Sequence, residues 1–124
     1  MLTLCDEEDL ASVNPAPLLC GVLTGRLRPG TELPASDLRR DSFNDEPFAQ
    51  ILARAESLRP MLTTEGRSYV HGALAWIRAR SPRTIPIPGF RTIQQVRELI
   101  ETLHLGPLSS DVFARVTATA NQPR

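Results

Sequence analysis

Pro88, Gly89, Phe90 and Arg91 run straight into Thr92, Ile93, Gln94 and Gln95, a turn that brings a cationic side chain to the mouth of a helix. Backbone N–H groups and the positive helix end can face an anion there, and Gly89 permits close approach. The planar fork of Arg91 suits a phosphate, because it can donate two parallel charge-assisted hydrogen bonds. The same residues also have plainer readings. Arg91 alone is a solvated surface charge, Gln95 completes a capping box with Thr92, and Glu98 supports its helix electrostatically.

Other chemistry is thinly provided. All 14 basic residues are arginine, with no lysine anywhere in the chain. Cys5 and Cys20 are too few and too irregularly placed for a disulfide framework or a tetrahedral metal site. With no histidine near it in sequence, Cys20 reads as a packing residue rather than a reactive thiol. Tyr69 sits on an amphipathic helix in a packing or surface role, and His71 and His104 read as helix-surface or cap residues.

The 14 acidic residues balance the arginines to a formal charge of zero, which leaves no global field for nucleic acid or an anionic membrane. A small helical nucleic-acid binder is disfavoured for the same reason, because the arginines are scattered. The acidic run Asp6, Glu7, Glu8 and Asp9 is the wrong start for a secretory or transit peptide, so a cytoplasmic address is expected. Arginine, proline and glycine interrupt every apolar stretch well before the roughly 20 residues of a membrane span.

These residues need elements to position them. Residues 2–10 read as the end of a helix without a capped beginning. Residues 11–13 make a brief buried strand, stopped by Pro15 and Pro17. Residues 18–27 are apolar but broken by Gly21 and Gly25, and 28–47 has no period and reads as loop. Phe48, Ile51, Leu52, Ala55 and Leu58 recur at helical spacing, with Asp45 as N-cap and an end near residues 60–63. Ser68 opens a helix striped by Val70, Ala73, Leu74 and Ile77, which Ser81 and Pro82 stop. Thr84 to Pro88 is a short strand ending in a Pro-Gly turn, followed by a helix expected to bury Ile93, Val96, Ile100 and Leu103. Ser109 or Ser110 caps a final helix, and residues 117–124 are expected to fray.

Two strands separated by helices predict parallel β/α structure, yet two such strands cannot complete a core. The run from Asn14 through Pro17, Leu18, Leu19, Cys20, Gly21, Leu23, Thr24 and Gly25 to Arg26 resembles the loop after the seventh barrel strand of aldo/keto reductases. A second stretch, Ala73–Trp76 with Ser81–Thr92 and Gln94–Glu98, resembles the eighth strand and its cofactor loop. The fold implied is part of a TIM (β/α)8 barrel, mostly helical with two short parallel strands, in a family whose barrel takes about 250 residues. Residues 1–124 would then form a C-terminal piece of an NADP-dependent oxidoreductase domain.

By that resemblance, Arg91 would pair with the adenosine 2′-phosphate and favour NADP(H) over NAD(H). Gln95 and Glu98 would contact the adenine-ribose end. Pro17, Leu18, Leu19 and Cys20 would lie along the pyrophosphate and nicotinamide side, with Arg26 near the phosphates and Gly89 in the cofactor turn. The family commonly has Asn directly after the glutamate; Leu99 removes that adenine hydrogen bond.

The family's general-acid tyrosine works with lysine, aspartate and histidine from earlier strands, and a chain without lysine cannot contain that set. The expected function is therefore the cofactor-binding part of an enzyme that reduces aldehydes or ketones by hydride transfer, inactive as this chain alone. A relic, a split-gene half and a shortened gene model all fit. The alternative is a noncatalytic interaction protein, docking on a chain that supplies the N-terminal barrel half or on a second copy of itself.

Overall fold

The computed structural model describes residues 1–28, 30–43 and 46–122, with only the backbone of Ser42 and Phe43. Asp45, the expected N-cap of the third helix, lies outside them. The order is α1 (Leu2–Glu7), β1 (Ser12–Pro15), a 3-10 segment (Leu19–Thr24), α2 (Arg40–Phe43), α3 (Glu46–Leu62), α4 (Tyr69–Arg80), β2 (Thr84–Ile87), α5 (Ile93–Leu105) and α6 (Ser110–Ala120). The stretch 28–47, expected to be loop throughout, thus contains one helical turn.

β1 and β2 pair in parallel, with Ser12 opposite Thr84 and Pro15 opposite Ile87. Pro86 and Pro15 cannot donate, so the ladder uses the remaining N–H groups, extended by Ser12 N–H donating to the Arg83 carbonyl at 2.8 Å. The strand expected to be buried over residues 11–13 is buried on one face only. Ser12 and Thr84 are covered, whereas Val13, Ile85 and Ile87 are 56%, 49% and 52% exposed. Nothing among the described residues covers that second face.

The core forms around α4, where every residue from Tyr69 to Ala75 is buried rather than a single stripe. This follows from its position, touching α3, α5, α6, β2 and the 3-10 segment. Gly72 allows the tightest of these contacts: a Cβ there would meet the Leu62 carbonyl oxygen at 1.8 Å. Ser68 caps α4 in a box with His71, so His71 is a buried cap residue, its Nδ1 accepting from Ser68 N–H at 3.3 Å. A second cluster joins Val22 and Leu27 to Leu52 and Ala55 of α3, anchoring the loop after β1.

Of the apolar face expected to be buried on α5, Val96 is half-buried and the rest points outward. Ile93, Ile100 and Leu103 are 74%, 50% and 62% exposed, while Thr102 is buried against α4. Arg67 is buried and closes the C-terminal end of α5, donating to the carbonyls of Leu105, Gly106 and Pro107 at 2.9–3.0 Å. Ser109 holds the N-cap backbone position of α6 without a cap bond, and its hydroxyl instead helps hold the Glu65 carboxyl below its ordinary pKa. Residues 117–120, expected to fray, are helical: Trp76 Nε1 donates to Thr117 Oγ1 at 3.1 Å and Arg54 donates to the Ala120 carbonyl.

Candidate cofactor cleft

Parallel strands in register end side by side, so the loops that follow them must face each other. Between them lies a cleft of about 530 Å³ lined from both sides, by Ala16–Leu18, Cys20, Gly21, Thr24, Arg26 and Leu27 after β1 and by Pro88–Arg91 and Gln95 after β2. A narrower recess of about 130 Å³ shares Leu18, Arg26, Gly89 and Gln95 and reaches Glu98, Leu99 and Val70. Pro17, Leu18, Cys20, Arg26, Gly89, Arg91, Gln95 and Glu98 are therefore brought together across some 80 residues of sequence. Leu19 is not among the lining residues, and it is 46% exposed.

The wall after β1 is an unusual backbone. Ala16, Leu19, Cys20, Gly21 and Gly25 all have positive φ, at 49°, 49°, 51°, 96° and 74°. For the three that carry a Cβ this costs about 1 kcal/mol or more each, so surrounding bonds must impose it. Gly21 and Leu23 both donate to the Leu18 carbonyl, and Thr24 Oγ1 donates to the Gly21 carbonyl at 2.6 Å. Val22, 1% exposed, pins the segment into the core beneath.

Across the cleft, Thr92 and Gln95 form the expected capping box. Gln95 Oε1 accepts from the N–H groups of Arg91 and Thr92 at 2.7 and 3.3 Å, and Thr92 Oγ1 accepts from Gln95 N–H. The N–H groups of Ile93 and Gln94 complete the first turn and have no intrahelical acceptor, which leaves donors at the positive end of α5. Neither Arg91 nor Arg26 forms an ion pair among the described residues. Two unpaired guanidiniums and a helix mouth opening on one cleft suit an anionic ligand.

Glu98 has a second task. Its Oε1 accepts from Ser68 Oγ at 2.7 Å and its backbone carbonyl faces His71 Nε2 at 3.0 Å, which ties α5 to the start of α4. Leu99 lines the recess beside it and offers no hydrogen bond.

Arg39 also lines the cleft, although it lies in the stretch without periodicity and was not anticipated. Asp37 accepts from the Arg39 side chain at 2.8 and 2.5 Å and from its backbone N–H at 3.0 Å. Those bonds hold the Asp37 carboxyl well below the ordinary carboxylate range. The Asp-x-Arg spacing is that of an Asx turn, the one sequence signal that could have revealed it.

Tyr69 contributes nothing to the cleft. Its hydroxyl donates to the Ala55 carbonyl at 2.5 Å inside the core, and Arg59 lies 4.4 Å over its ring. His104 is exposed on α5. Arg26, Arg91 and a helix mouth thus converge on the cleft, and neither Tyr69 nor either histidine lines it.

No helix among the described residues is long and apolar enough to cross a membrane. The chain is 27% identical over 100 residues to an NADP(+)-designated aldo-keto reductase of Schizosaccharomyces pombe, covering 79% of this chain and 29% of that protein. It is 27% identical over 116 residues to the aldo-keto reductase str7 of Strobilurus tenacellus, covering 92% and 34%. It spans about a third of the length of these curated relatives. The solved glycerol dehydrogenase AKR11B4 of Gluconobacter oxydans superposes on the whole chain and on 39% of its own length, with a TM-score of 0.80 and 21% sequence identity. That likeness assigns the paired strands and their helices to part of a TIM barrel. The model of the aldo/keto reductase family matches residues 1–121, and the chain belongs to that family.

Proposed function

We propose that this chain supplies the NADP(H)-binding surface of an aldo/keto reductase that reduces aldehydes or ketones. When bound, the nicotinamide cofactor would provide the hydride. Arg91 would bind the 2′-phosphate, Arg26 and the first turn of α5 would face the phosphates, and Gln95 and Glu98 would face the adenine-ribose end. Pro17, Leu18 and Cys20 would line the path toward the nicotinamide. The observation that carries this reading is the convergence of both strand-end loops on one cleft with unpaired Arg26 and Arg91. The NADP(+) in the name of the S. pombe relative points the same way.

Titrating the chain with NADPH and NADH, and following the nicotinamide fluorescence, tests it. NADPH should bind more tightly, and Arg91→Ala should narrow the difference by about tenfold or more, the value of a charge-assisted phosphate contact. Equal affinity for the two nucleotides in the unmodified chain would sink the assignment. With NADPH and a panel of aldehydes the chain alone should give no turnover, since it has no lysine for the family's catalytic set.

A second reading, a noncatalytic protein docked on a partner that completes the barrel, is favoured by the bare face of Val13, Ile85 and Ile87.

A further inference from the structure

The loop from Pro34 to Arg39 is fastened to the cleft by one guanidinium. Arg39 grips both carboxylate oxygens of Asp37 with Nε and Nη2, and its Nη1 donates to the Cys20 carbonyl at 2.7 Å. Cys20 is the middle of three consecutive left-handed residues, Leu19, Cys20 and Gly21. Nη1 lies 3.0 Å from where a Cβ on Gly21 would sit, so the guanidinium rests directly on this turn. The Asp37 carboxyl is held ionised first by hydrogen bonds from Arg39 and, to a smaller extent, by the charge of Arg91 on the opposite loop. A third of the Arg39 side chain is exposed, which separates its role from that of the core.

We propose that Asp37 and Arg39 are a positioning pair for the nucleotide cleft: Asp37 orients the guanidinium, and the guanidinium holds the Leu19–Gly21 turn in the conformation that shapes the cleft wall. A left-handed turn through two residues that carry a Cβ does not persist unaided, and a charge-assisted bond to its central carbonyl adds to the bonds at Leu18 and Thr24 the one restraint that reaches it from another loop. The effect on nucleotide rests on the NADP(H) reading above; the restraint on the turn does not.

Amide hydrogen exchange on the full chain, read beside NADPH affinity, tests both halves. Arg39→Ala should speed exchange at Gly21 and Leu23, the two donors to the Leu18 carbonyl, by about tenfold, while α3 and α4 amides stay unchanged. NADPH affinity should fall by about fivefold or more over the same comparison. Arg39→Lys should not restore either, because an ammonium cannot grip the carboxylate with a fork. Asp37→Asn, gentler on folding, should give the same pattern more weakly, and Arg91→Ala should lower NADPH affinity without altering exchange.

Unchanged exchange in both Arg39→Ala and Asp37→Asn would overturn the restraint. Faster exchange with unaltered NADPH affinity would overturn its service to the cleft. A chain that binds no NADPH at all would fell the NADP(H) reading and the ligand half with it, while the exchange data would still decide the restraint.

Discussion

Tyr69 carries the clearest pH signature. Burial pushes its phenol up to about 12, overcoming the favourable field of Arg59 and aided by Glu56. The folded chain therefore keeps this proton more tightly than the unfolded chain, whose phenol titrates at about 10. Stability is fully present below about pH 10 and declines as pH rises toward about 12, by up to about 3 kcal/mol. Urea unfolding at pH 8 and pH 11 should record about half of that loss. Tyr69→Phe should cost about 1 kcal/mol near neutral pH and flatten the alkaline decline. A mutant that loses stability at pH 11 as steeply as its parent would point to a different titrating group.

Two junctions, Gly72 of α4 against α3 and Arg67 against the end of α5, govern how the helices fit together. Gly72→Ala forces a methyl group into the Leu62 backbone carbonyl, which cannot swing aside as a side chain would. A loss of more than about 3 kcal/mol is expected, seen as a lowered denaturation midpoint, whereas Gly66→Ala meets no neighbouring atom and should cost less. Arg67→Met removes the donor to three carbonyls at the end of α5 and should cost about 2–4 kcal/mol. Hydrogen exchange should localise that damage to the last turns of α5. Protection left intact there would show that the carbonyls find water instead.

For the molecule as a whole, the bare sheet face and the outward stripe of α5 are the decisive features. Val13, Ile85 and Ile87 lie on the two strands, each of which has one edge unpaired among the described residues, and Ile93, Ile100 and Leu103 expose a second apolar surface on α5. Apolar faces and unpaired strand edges of this kind drive association. Sedimentation velocity should find concentration-dependent self-association, and Ile85→Thr with Ile87→Thr should shift the chain toward monomer while keeping its β propensity. A monomer at high concentration with cooperative unfolding would contradict the idea that this surface needs a cover.

Much of this was legible in the sequence, because local chemistry reports on local structure. The Thr92–Gln95 capping box, the Ser68 cap, the stop of α4 at Ser81 and Pro82 and the strand–turn–helix run from Thr84 to Glu98 depend on near neighbours, and each is found where its residues predict it, whereas Pro15, expected to stop β1, is its last residue. The convergence of Arg26, Arg91, Gln95 and Glu98 was also anticipated, through the family resemblance of two separate loops. Other features needed the tertiary structure. Periodicity identified the apolar face of α5 but could not say whether anything packs on it, and α4, with partners on all sides, is buried well beyond its stripe. Nothing in the spacing of Asp37 and Arg39 says that a guanidinium will reach back 19 positions to the Cys20 carbonyl. Sequence determines which groups want partners; which partner is within reach is decided only when distant segments are packed against one another.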